Sequence, residues 1–259
     1  LFAARTDRGI EALPGTIRWT IPSNWKNGAE NFSGDSYHVQ TAHLSAFKAG
    51  MLPEDFLPNV GTSVSTGNGF VNMSRAMVPG GRSQLAQLVP PHIMPYLHFM
   101  ESRREEMQRN LGQEKTQFVD ELATHVGSVF PNFSYFDFTQ YLLLRVWQPR
   151  GPRSMEIWSW VFVEKDMDAA QRAQVRRHCV NQFGPGSVFE QDDADIFTAC
   201  AQGHRGFVSR QYPLNYQMDL GKHEPGTTPG EEFGHIQGDS NLRAFYKAWV
   251  GRVAEGRHD

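Results

Sequence analysis

The chain has 259 residues, of which 39% are hydrophobic and 12% aromatic, and its formal net charge at pH 7 is −3. This near balance of 25 basic and 28 acidic residues argues against a nucleic-acid-binding protein, which is usually basic on one face. No run of 18 apolar residues occurs, so the sequence predicts no membrane span. The length fits one large domain or two small ones.

The cysteines and the first residue bear on where the chain is found. The cysteines are Cys179 and Cys200, and two thiols this far apart predict no disulfide framework but a reducing, cytoplasmic location. The start, LFAARTDRGIEALPG, lacks the apolar segment of a secretory signal peptide. Because the first residue is Leu1 and not methionine, we expect that the sequence begins inside a longer protein.

In the first half of the chain, apolar periodicity and turn residues predict a mixture of strands and helices. Ile17, Trp19 and Ile21 alternate with other residues, as in a strand, and Ser23 or Asn24 can cap the helix that follows. The predicted elements are a strand at 15–22, a helix from Trp25, loops with short strands over 50–92 that include a strand at 67–73, and helices at 94–111 and 114–126.

The second half carries the clearest strand signal. The runs YLLLRVWQP (141–149) and SMEIWSWVFVEK (154–165) are joined by RGPR, which predicts an antiparallel hairpin. The predicted elements after it are helices at 168–181 and 190–202, a short strand at 215–220, a loop at 223–234 and a closing helix at 240–256. Antiparallel strands with helices between and after them indicate an α+β fold.

The stretch ENFSGDSYHVQTAH (30–43) brings two imidazoles and a carboxylate together in sequence. His38 and His43 are five positions apart, and Asp35 precedes the first of them by three. On a regular helix, side chains five positions apart point about 140° away from each other. A shared metal ion therefore requires a break or a helix end between the histidines, and Gly34 favours irregular backbone nearby. The alternative is a polar loop.

A third ligand could come from EQDDAD (190–195), where four carboxylates fall within six residues. The alternative is that these carboxylates cap a helix and complement its dipole. Two histidines and one carboxylate on one face of a metal ion are the ligands of non-haem Fe(II) oxygenases. Zinc can use the same ligands for hydrolysis, and the spacing alone does not distinguish the two metals.

Four segments together resemble a known family. NWK and ENFSGDSYHVQTAH within 24–43, with FEQDDADIF (189–197) much later, resemble the catalytic domain of Rieske-type aromatic-ring-hydroxylating dioxygenases, large (alpha) subunit, in the phenylpropionate, biphenyl and naphthalene branch. FPNFSYF (130–136) and LRAFYKAW (242–249) also resemble it. The resemblance implies that residues 1–259 form a single catalytic domain with a helix-grip fold: a curved antiparallel sheet with flanking helices and a long C-terminal helix.

The resemblance also implies roles for individual residues. His38, His43 and Asp193 would bind a mononuclear Fe(II), with Asp192 as the alternative third ligand. Asp35 would not bind the metal, but would connect a histidine at the iron by hydrogen bonds to a Rieske-cluster histidine of a neighbouring subunit. Its type suits this role, because a carboxylate that accepts an imidazole N–H fixes the tautomer and orientation of the ring.

On the substrate side, the resemblance implies O₂-dependent cis-dihydroxylation of an aromatic compound. Asn31 would lie close to the iron, and Phe183, ten positions before Asp193, would be an aromatic residue of the substrate pocket. Weaker pocket candidates are Phe32, Ser36, Val39 and Phe47. The alternatives are a Rieske-type monooxygenase or O-demethylase, a zinc hydrolase, and a non-catalytic helix-grip domain that binds an apolar ligand.

The sequence departs from the family in one respect. The family's large subunit holds a Rieske [2Fe–2S] cluster with two cysteines and two histidines, in a domain before the catalytic one. Neither Cys179 nor Cys200 stands in such a pattern, so the cluster is expected from a segment or chain not present here. The implied partners are a ferredoxin and reductase that supply electrons, and further subunits, either as a homotrimer or as three large with three small β subunits.

Overall fold

The structure is a computed structural model that describes residues 2–49, 61–76, 94–113, 115–116, 119, 122–138 and 141–255. Its strands are β1 (Ile10–Ala12), β2 (Ile17–Ile21), β3 (Gly61–Ser65), β4 (Phe70–Ala76), β5 (Leu122–Val129), β6 (Phe133–Phe138), β7 (Tyr141–Pro149), β8 (Met155–Glu164), β9 (Glu224–Pro225) and β10 (Glu232–His235). Its helices are α1 (Trp25–Gly34), α2 (Val39–Ala42), α3 (Leu44–Lys48), α4 (Met94–Ser102), α5 (Arg104–Leu111), α6 (Ala169–Phe183), α7 (Val188–Gly203) and α8 (Ser240–Glu255).

The described strands form one open antiparallel sheet. Its order is β1-β8-β7-β6-β5-β4-β3-β10-β9, and β2 pairs with β8 beside β1. The predicted hairpin is present, because β7 and β8 pair from Leu142 opposite Phe162 to Pro149 opposite Met155. With helices between and after the strands, the α+β class predicted from the sequence is confirmed.

Helix α1 lies against the sheet and leads into the segment that carries His38 and His43. Asn24 caps it by accepting a hydrogen bond from a backbone N–H at 3.1 Å. In mid-helix, the carbonyl of Ala29 accepts a hydrogen bond from Ser128 of β5 at 3.3 Å. A Cβ atom on Gly28 would lie 2.3 Å from the ring of Trp147 in β7, so a larger residue there would push α1 away from the sheet.

Helix α8 packs across α1 and β4. The side-chain amide of Asn241 donates to the carbonyls of Ser33 in α1 (2.9 Å) and Asn72 in β4 (3.0 Å). Further along the helix, Phe245 is fully buried and its ring meets that of Trp25 edge-on. The closing helix therefore holds α1 in place at both ends of α1.

Two predicted helices differ from the structure. The helix predicted at 114–126 is wrong in its second half: residues 115, 116 and 119 are helical, but Leu122–Val129 form β5. This strand pairs with β4 on one side and β6 on the other, and these contacts outweigh the helix-forming residues of ELATHV. The helix predicted at 94–111 is interrupted at Arg103, so that α4 and α5 are separate helices.

The segment after α7 also differs from its prediction. No strand forms at 215–220, where the backbone is irregular and ends in a turn. Side-chain contacts hold it instead: Tyr216 donates to Glu30 at 3.2 Å, and the N–H of Met218 donates to Asp239 at 2.9 Å. The loop predicted at 223–234 contains β9 and most of β10, which extends the sheet beyond β3.

The remaining predicted elements agree with the structure where it describes them. The strand predicted at 15–22 is β2, and the helices at 168–181, 190–202 and 240–256 are α6, α7 and α8. The strand predicted at 67–73 begins only at Phe70, after a turn, while residues 50–60 and 77–93 lie outside the described residues. Among the helices of the described part, none has the length and apolar character needed to cross a membrane.

Candidate metal centre in an aromatic cavity

The backbone between α1 and α3 is broken where the two histidines require it. Helix α1 ends at Gly34, a 3-10 helix (Ser36–His38) follows Asp35, and His43 separates α2 from α3 with φ −98° and ψ 25°. The break that a shared metal ion requires is therefore present. A Cβ atom on Gly34 would lie 2.9 Å from Leu242 of α8, which explains the glycine at the end of α1.

His38, His43 and Asp193 direct their ligand atoms at one another. Nε2 of His38 lies 3.2 Å from Nε2 of His43. Oδ1 of Asp193, on α7, lies 3.7 Å and 3.5 Å from these two nitrogens. An ion held about 2.1 Å from each donor would set neighbouring donors about 3 Å apart. The three side chains therefore fit a single metal ion.

The outer nitrogen of each histidine faces an acceptor. Nδ1 of His38 donates to the backbone carbonyl of Asp35 and lies 3.5 Å from the carboxylate of the same residue. Nδ1 of His43 donates to Oδ2 of Asp192 at 3.3 Å, and Ser45 donates to that oxygen at 3.0 Å. With both Nδ1 atoms acting as donors, the Nε2 atom of each ring in its neutral form presents a lone pair to the centre.

The same contacts distinguish Asp193 from Asp192, the two candidates that the sequence offered for the third ligand. Asp193 is buried at the centre, whereas the side chain of Asp192 is 27% exposed and contacts the far nitrogen of His43. Neighbouring residues on a helix point about 100° apart, so α7 can supply one carboxylate to the centre and one behind it. The geometry favours Asp193 over Asp192 as the third ligand.

Burial and neighbouring charges shift the pKa values at the centre in different directions. Burial acts to lower the pKa of His38, but the hydrogen bond and charge of Asp35 outweigh it and raise this pKa to about 9. Burial, and then the charge of His38, lower the pKa of His43 to about 4. Burial raises the pKa of Asp193 to about 7. The three donor groups thus lie close together in a buried place. A cation bound there would strongly change their protonation.

The three donors lie on the wall of a cavity of about 710 Å³, measured together with its open mouth. Much of the wall is aromatic. The rings of Phe183 and Phe189 stack with their centres 5.4 Å apart, and Phe136 meets Phe183 edge-on at 5.0 Å. A concave apolar site with a few convergent polar groups is typical of small-molecule binding.

Most residues that the sequence associated with this site line the cavity. Asn31 and Asp35 belong to its wall, and the amide of Asn31 lies 3.3 Å from Nε2 of His38. The predicted pocket residues on the wall are Phe32, Ser36, Val39 and Phe183. Phe47 is not among these wall residues, but it packs in a small cluster with Ala46 and with Phe189, which does line the cavity.

Sequence reasoning missed the part of the cavity that the sheet supplies. Met73 of β4, Thr124 and Val126 of β5, and Phe136 of β6 line it, together with Phe189 of α7. The helix predicted at 114–126 concealed the alternation of Thr124 and Val126, which would have put both on one face of a strand. Phe189 precedes Asp193 by four positions, and helical spacing could have indicated their shared face.

A buried ion pair behind the cavity ties three elements together. Arg145 of β7 donates to Glu190 of α7 at 2.6 Å, and each side chain is 1% exposed. Arg145 also donates to the carbonyl of Phe183, at the end of α6, at 3.3 Å. Its guanidinium lies 5.2–5.7 Å from the ring centres of Trp19, Phe32, Trp147 and Phe183. Because Glu190 precedes Asp193 by one helical turn, the pair fixes the helix that carries the candidate ligand.

Comparison with known proteins identifies the family. The family model for the ring hydroxylating alpha subunit (catalytic domain) matches residues 10–255. Biphenyl dioxygenase subunit alpha of Metapseudomonas furukawaii is 33% identical over 97% of this chain and 55% of its own length. Benzene 1,2-dioxygenase subunit alpha of Pseudomonas putida is 30% identical over 95% of this chain and 55% of its own length. The chain belongs to the ring-hydroxylating alpha-subunit family, as the sequence motifs indicated.

A solved structure agrees with the fold. The crystal structure of naphthalene 1,2-dioxygenase from Rhodococcus sp. bound to indole matches with a TM-score of 0.78 and 31% identity, over 95% of this chain and 57% of that one. This match confirms the α+β helix-grip fold expected from the sequence. The chain spans about half the length of the relatives that it matches.

Replacing Arg145 alone should strongly destabilise the fold. Arg145→Met leaves the carboxylate of Glu190 buried without its partner, so we expect the free energy of unfolding to fall by about 3–5 kcal/mol. Replacing both Arg145 and Glu190 by methionine should recover most of this loss, because no buried charge remains. Urea denaturation followed by circular dichroism measures both variants.

The matched control for this experiment is Arg18→Met on β2. Arg18 pairs with Glu156, but its side chain is 51% exposed. This variant should lose less than about 1 kcal/mol, because exposed ion pairs contribute little. If Arg145→Met proved no more destabilising than Arg18→Met, the buried pair would not be what holds α7 against β7.

Proposed function

We propose that the chain is the catalytic part of an aromatic-ring-hydroxylating dioxygenase, which adds both atoms of O₂ to an aromatic ring by cis-dihydroxylation. The observation that carries this proposal is the meeting of His38, His43 and Asp193 at an aromatic cavity, in a chain of this family. Relatives named biphenyl dioxygenase and benzene dioxygenase support an aromatic hydrocarbon skeleton as the substrate.

His38, His43 and Asp193 are the residues that would hold a mononuclear Fe(II). Two imidazole nitrogens and one carboxylate oxygen are the ligands that non-haem iron oxygenases use. The distances of 3.2, 3.5 and 3.7 Å between the donors support one shared ion. When bound, such an ion supplies the activation of O₂ at its open coordination positions. The contacts of Asp35 and Asp192 orient the two rings from behind.

The chain's own contribution is to hold a flat apolar substrate beside these donors. Phe136, Phe183 and Phe189 offer ring faces and edges to an aromatic molecule, and such contacts favour a limited set of orientations. A substrate that fills the cavity excludes water and stays at a fixed distance from the donors. Asn31, close to His38, can donate a hydrogen bond to a polar atom bound next to the donors.

Asp35 is, in this proposal, a positioning residue on the path of the electrons. One of its carboxylate oxygens lies 3.5 Å from Nδ1 of His38. The other, Oδ1, is buried and has no hydrogen-bond partner in the described part of the chain. A buried acceptor without a donor costs free energy. A histidine of the Rieske cluster would supply this donor, and electrons from the ferredoxin and reductase would arrive by this route.

An exposed apolar segment near Asp35 supports the presence of a neighbouring subunit. Large apolar side chains that are more than half exposed in this segment are Phe207, Val208, Tyr212, Leu214 and Leu220. Tyr216, in the middle of the segment, bonds to Glu30, five positions before Asp35. Such a cluster is typical of an interface. We therefore propose a homotrimer, or three alpha with three small β subunits. An enzyme whose mass in solution corresponds to a single alpha subunit would contradict this assembly.

The remaining proposals concern organisation and location. We propose that residues 1–259 act as a single catalytic domain, because one sheet runs through the described chain from β1 to β10. The Rieske domain would belong to a segment or chain outside these residues. Cys179 and Cys200 are both free thiols, which supports the cytoplasmic location proposed from the sequence.

Iron content after anaerobic loading with Fe(II) tests the ligands. About one iron per chain is expected for the wild type, and Asp193→Asn and His38→Ala should lose it because each removes a donor. Asp192→Asn is the matched control: it should keep the stoichiometry with an affinity about 10- to 100-fold weaker, since Asp192 only orients His43. Equal losses in the two aspartate variants would contradict the assignment of Asp193.

Labelling with ¹⁸O₂ tests the reaction. With the electron-transfer proteins present and biphenyl or benzene as substrate, mass spectrometry should find two labelled oxygen atoms in one cis-diol. A single labelled atom would instead indicate monooxygenation or O-demethylation at the same site. If iron were bound and no aromatic compound gave an oxygenated product, the proposed reaction would be wrong.

Asp35→Asn should separate iron binding from turnover. The variant keeps all three candidate ligands, so its iron content should equal that of the wild type. Turnover should fall by about 100-fold or more, because the path to the cluster histidine is disturbed. Asp195→Asn, the same change at an exposed position of α7, should alter neither quantity. Wild-type turnover by Asp35→Asn would rule out the bridging role.

A further inference from the structure

Among the described residues, the wall that the sheet supplies to the cavity carries one hydroxyl group. Met73, Val126 and Phe136 are its apolar members, and Thr124 of β5 lies among them. The other polar residues of the cavity belong to the stretch from Asn31 to His43, or to α7, which carry the candidate metal ligands. Thr124 is therefore a polar residue on the part of the wall that supplies none of the candidate ligands. The metal centre does not account for it.

Strand alternation explains why Thr124 faces the cavity. Thr124, Val126 and Ser128 occupy every second position of β5, so their side chains leave the same face of the sheet. Ser128 identifies this face, because it donates to the carbonyl of Ala29 in α1 at 3.3 Å. Thr124 is 5% exposed and lines the cavity together with Val126.

The hydroxyl of Thr124 lies where a molecule in the cavity can reach it, because Thr124 lines the cavity. Two other hydroxyls of the sheet are held by neighbouring side chains instead: Ser74 bonds to His125 at 3.1 Å, and Ser128 bonds to Ser134 at 2.8 Å. A threonine hydroxyl can both donate and accept a hydrogen bond. A bound molecule that carries a donor or an acceptor can therefore bond to Thr124.

We propose that Thr124 makes the cavity selective for aromatic compounds with a hydrogen-bonding substituent, a ring hydroxyl or amino group, over hydrocarbons of the same shape. This inference rests on the proposed function, because it takes the cavity as the site of the arene. The substituent would bond to Thr124 at the sheet, while the rings of Phe183 and Phe189 hold the aromatic skeleton. The bond would therefore also determine which ring carbons face His38, His43 and Asp193.

Binding of two matched ligands tests this selectivity. 2-Naphthol and 2-methylnaphthalene have nearly the same shape and differ in a hydroxyl against a methyl group. Equilibrium dialysis gives the Kd of each ligand for the wild type, Thr124→Val and Thr124→Ser. The difference in hydration between the two free ligands is the same for every variant. It therefore cancels when the ratio of the two Kd values is compared between variants. Thr124→Val should shift the ratio toward 2-methylnaphthalene by about three- to tenfold, and Thr124→Ser should keep the wild-type ratio.

Thr62→Val, the same change at an exposed position of β3, is the matched control and should leave the ratio unchanged. Undiminished affinity of Thr124→Val for 2-methylnaphthalene would show that this variant is folded. If the wild type bound both ligands and Thr124→Val left their ratio unchanged, the role of Thr124 would be overturned while the arene site remained. If the wild type bound neither ligand, the proposed function of the cavity would fail as well.

Discussion

The buried ion pair between Arg145 and Glu190 fixes the part of the molecule on which the site depends. It joins β7 of the sheet to α7, one helical turn before Asp193, and the same guanidinium donates a hydrogen bond to the carbonyl of Phe183. One side chain thus sets the position of a candidate ligand and of an aromatic wall. Desolvation of two charges offsets much of what their contact contributes, so we interpret the pair as determining position more than adding stability.

A second constraint acts on the histidines. Their spacing does not suit a regular helix, and the 3-10 helix before His38 and the break at His43 bring the two Nε2 atoms together. Packing of α8 on Gly34 fixes the position of α1 relative to this irregular segment. The outcome is a division of the cavity, with nitrogen and carboxylate donors on the helical segments and mostly apolar side chains on the sheet. Such a division suits an apolar substrate that reacts next to a metal ion.

Local sequence patterns predict the elements whose structure depends mainly on interactions between residues close in sequence. The β7–β8 hairpin and helices α6 to α8 follow from periodicity and turn residues, and the motif 30–43 identifies the histidines. The strand at Leu122–Val129 depends on partners distant in sequence, and the cavity residues Thr124 and Val126 could not be found without it. The choice between Asp192 and Asp193 depends on the rotation of α7 relative to His43, which tertiary packing sets. The ion pair of Arg145 gives no local signal.

Anomalous diffraction at the iron absorption edge, from crystals of the chain loaded anaerobically with Fe(II), tests the central claim most directly. The account predicts a single peak about 2.0–2.3 Å from Nε2 of His38, Nε2 of His43 and the carboxylate of Asp193. Asp192 should remain on the outer nitrogen of His43. No peak at this position, or a peak bound by Asp192 in place of Asp193, would contradict it.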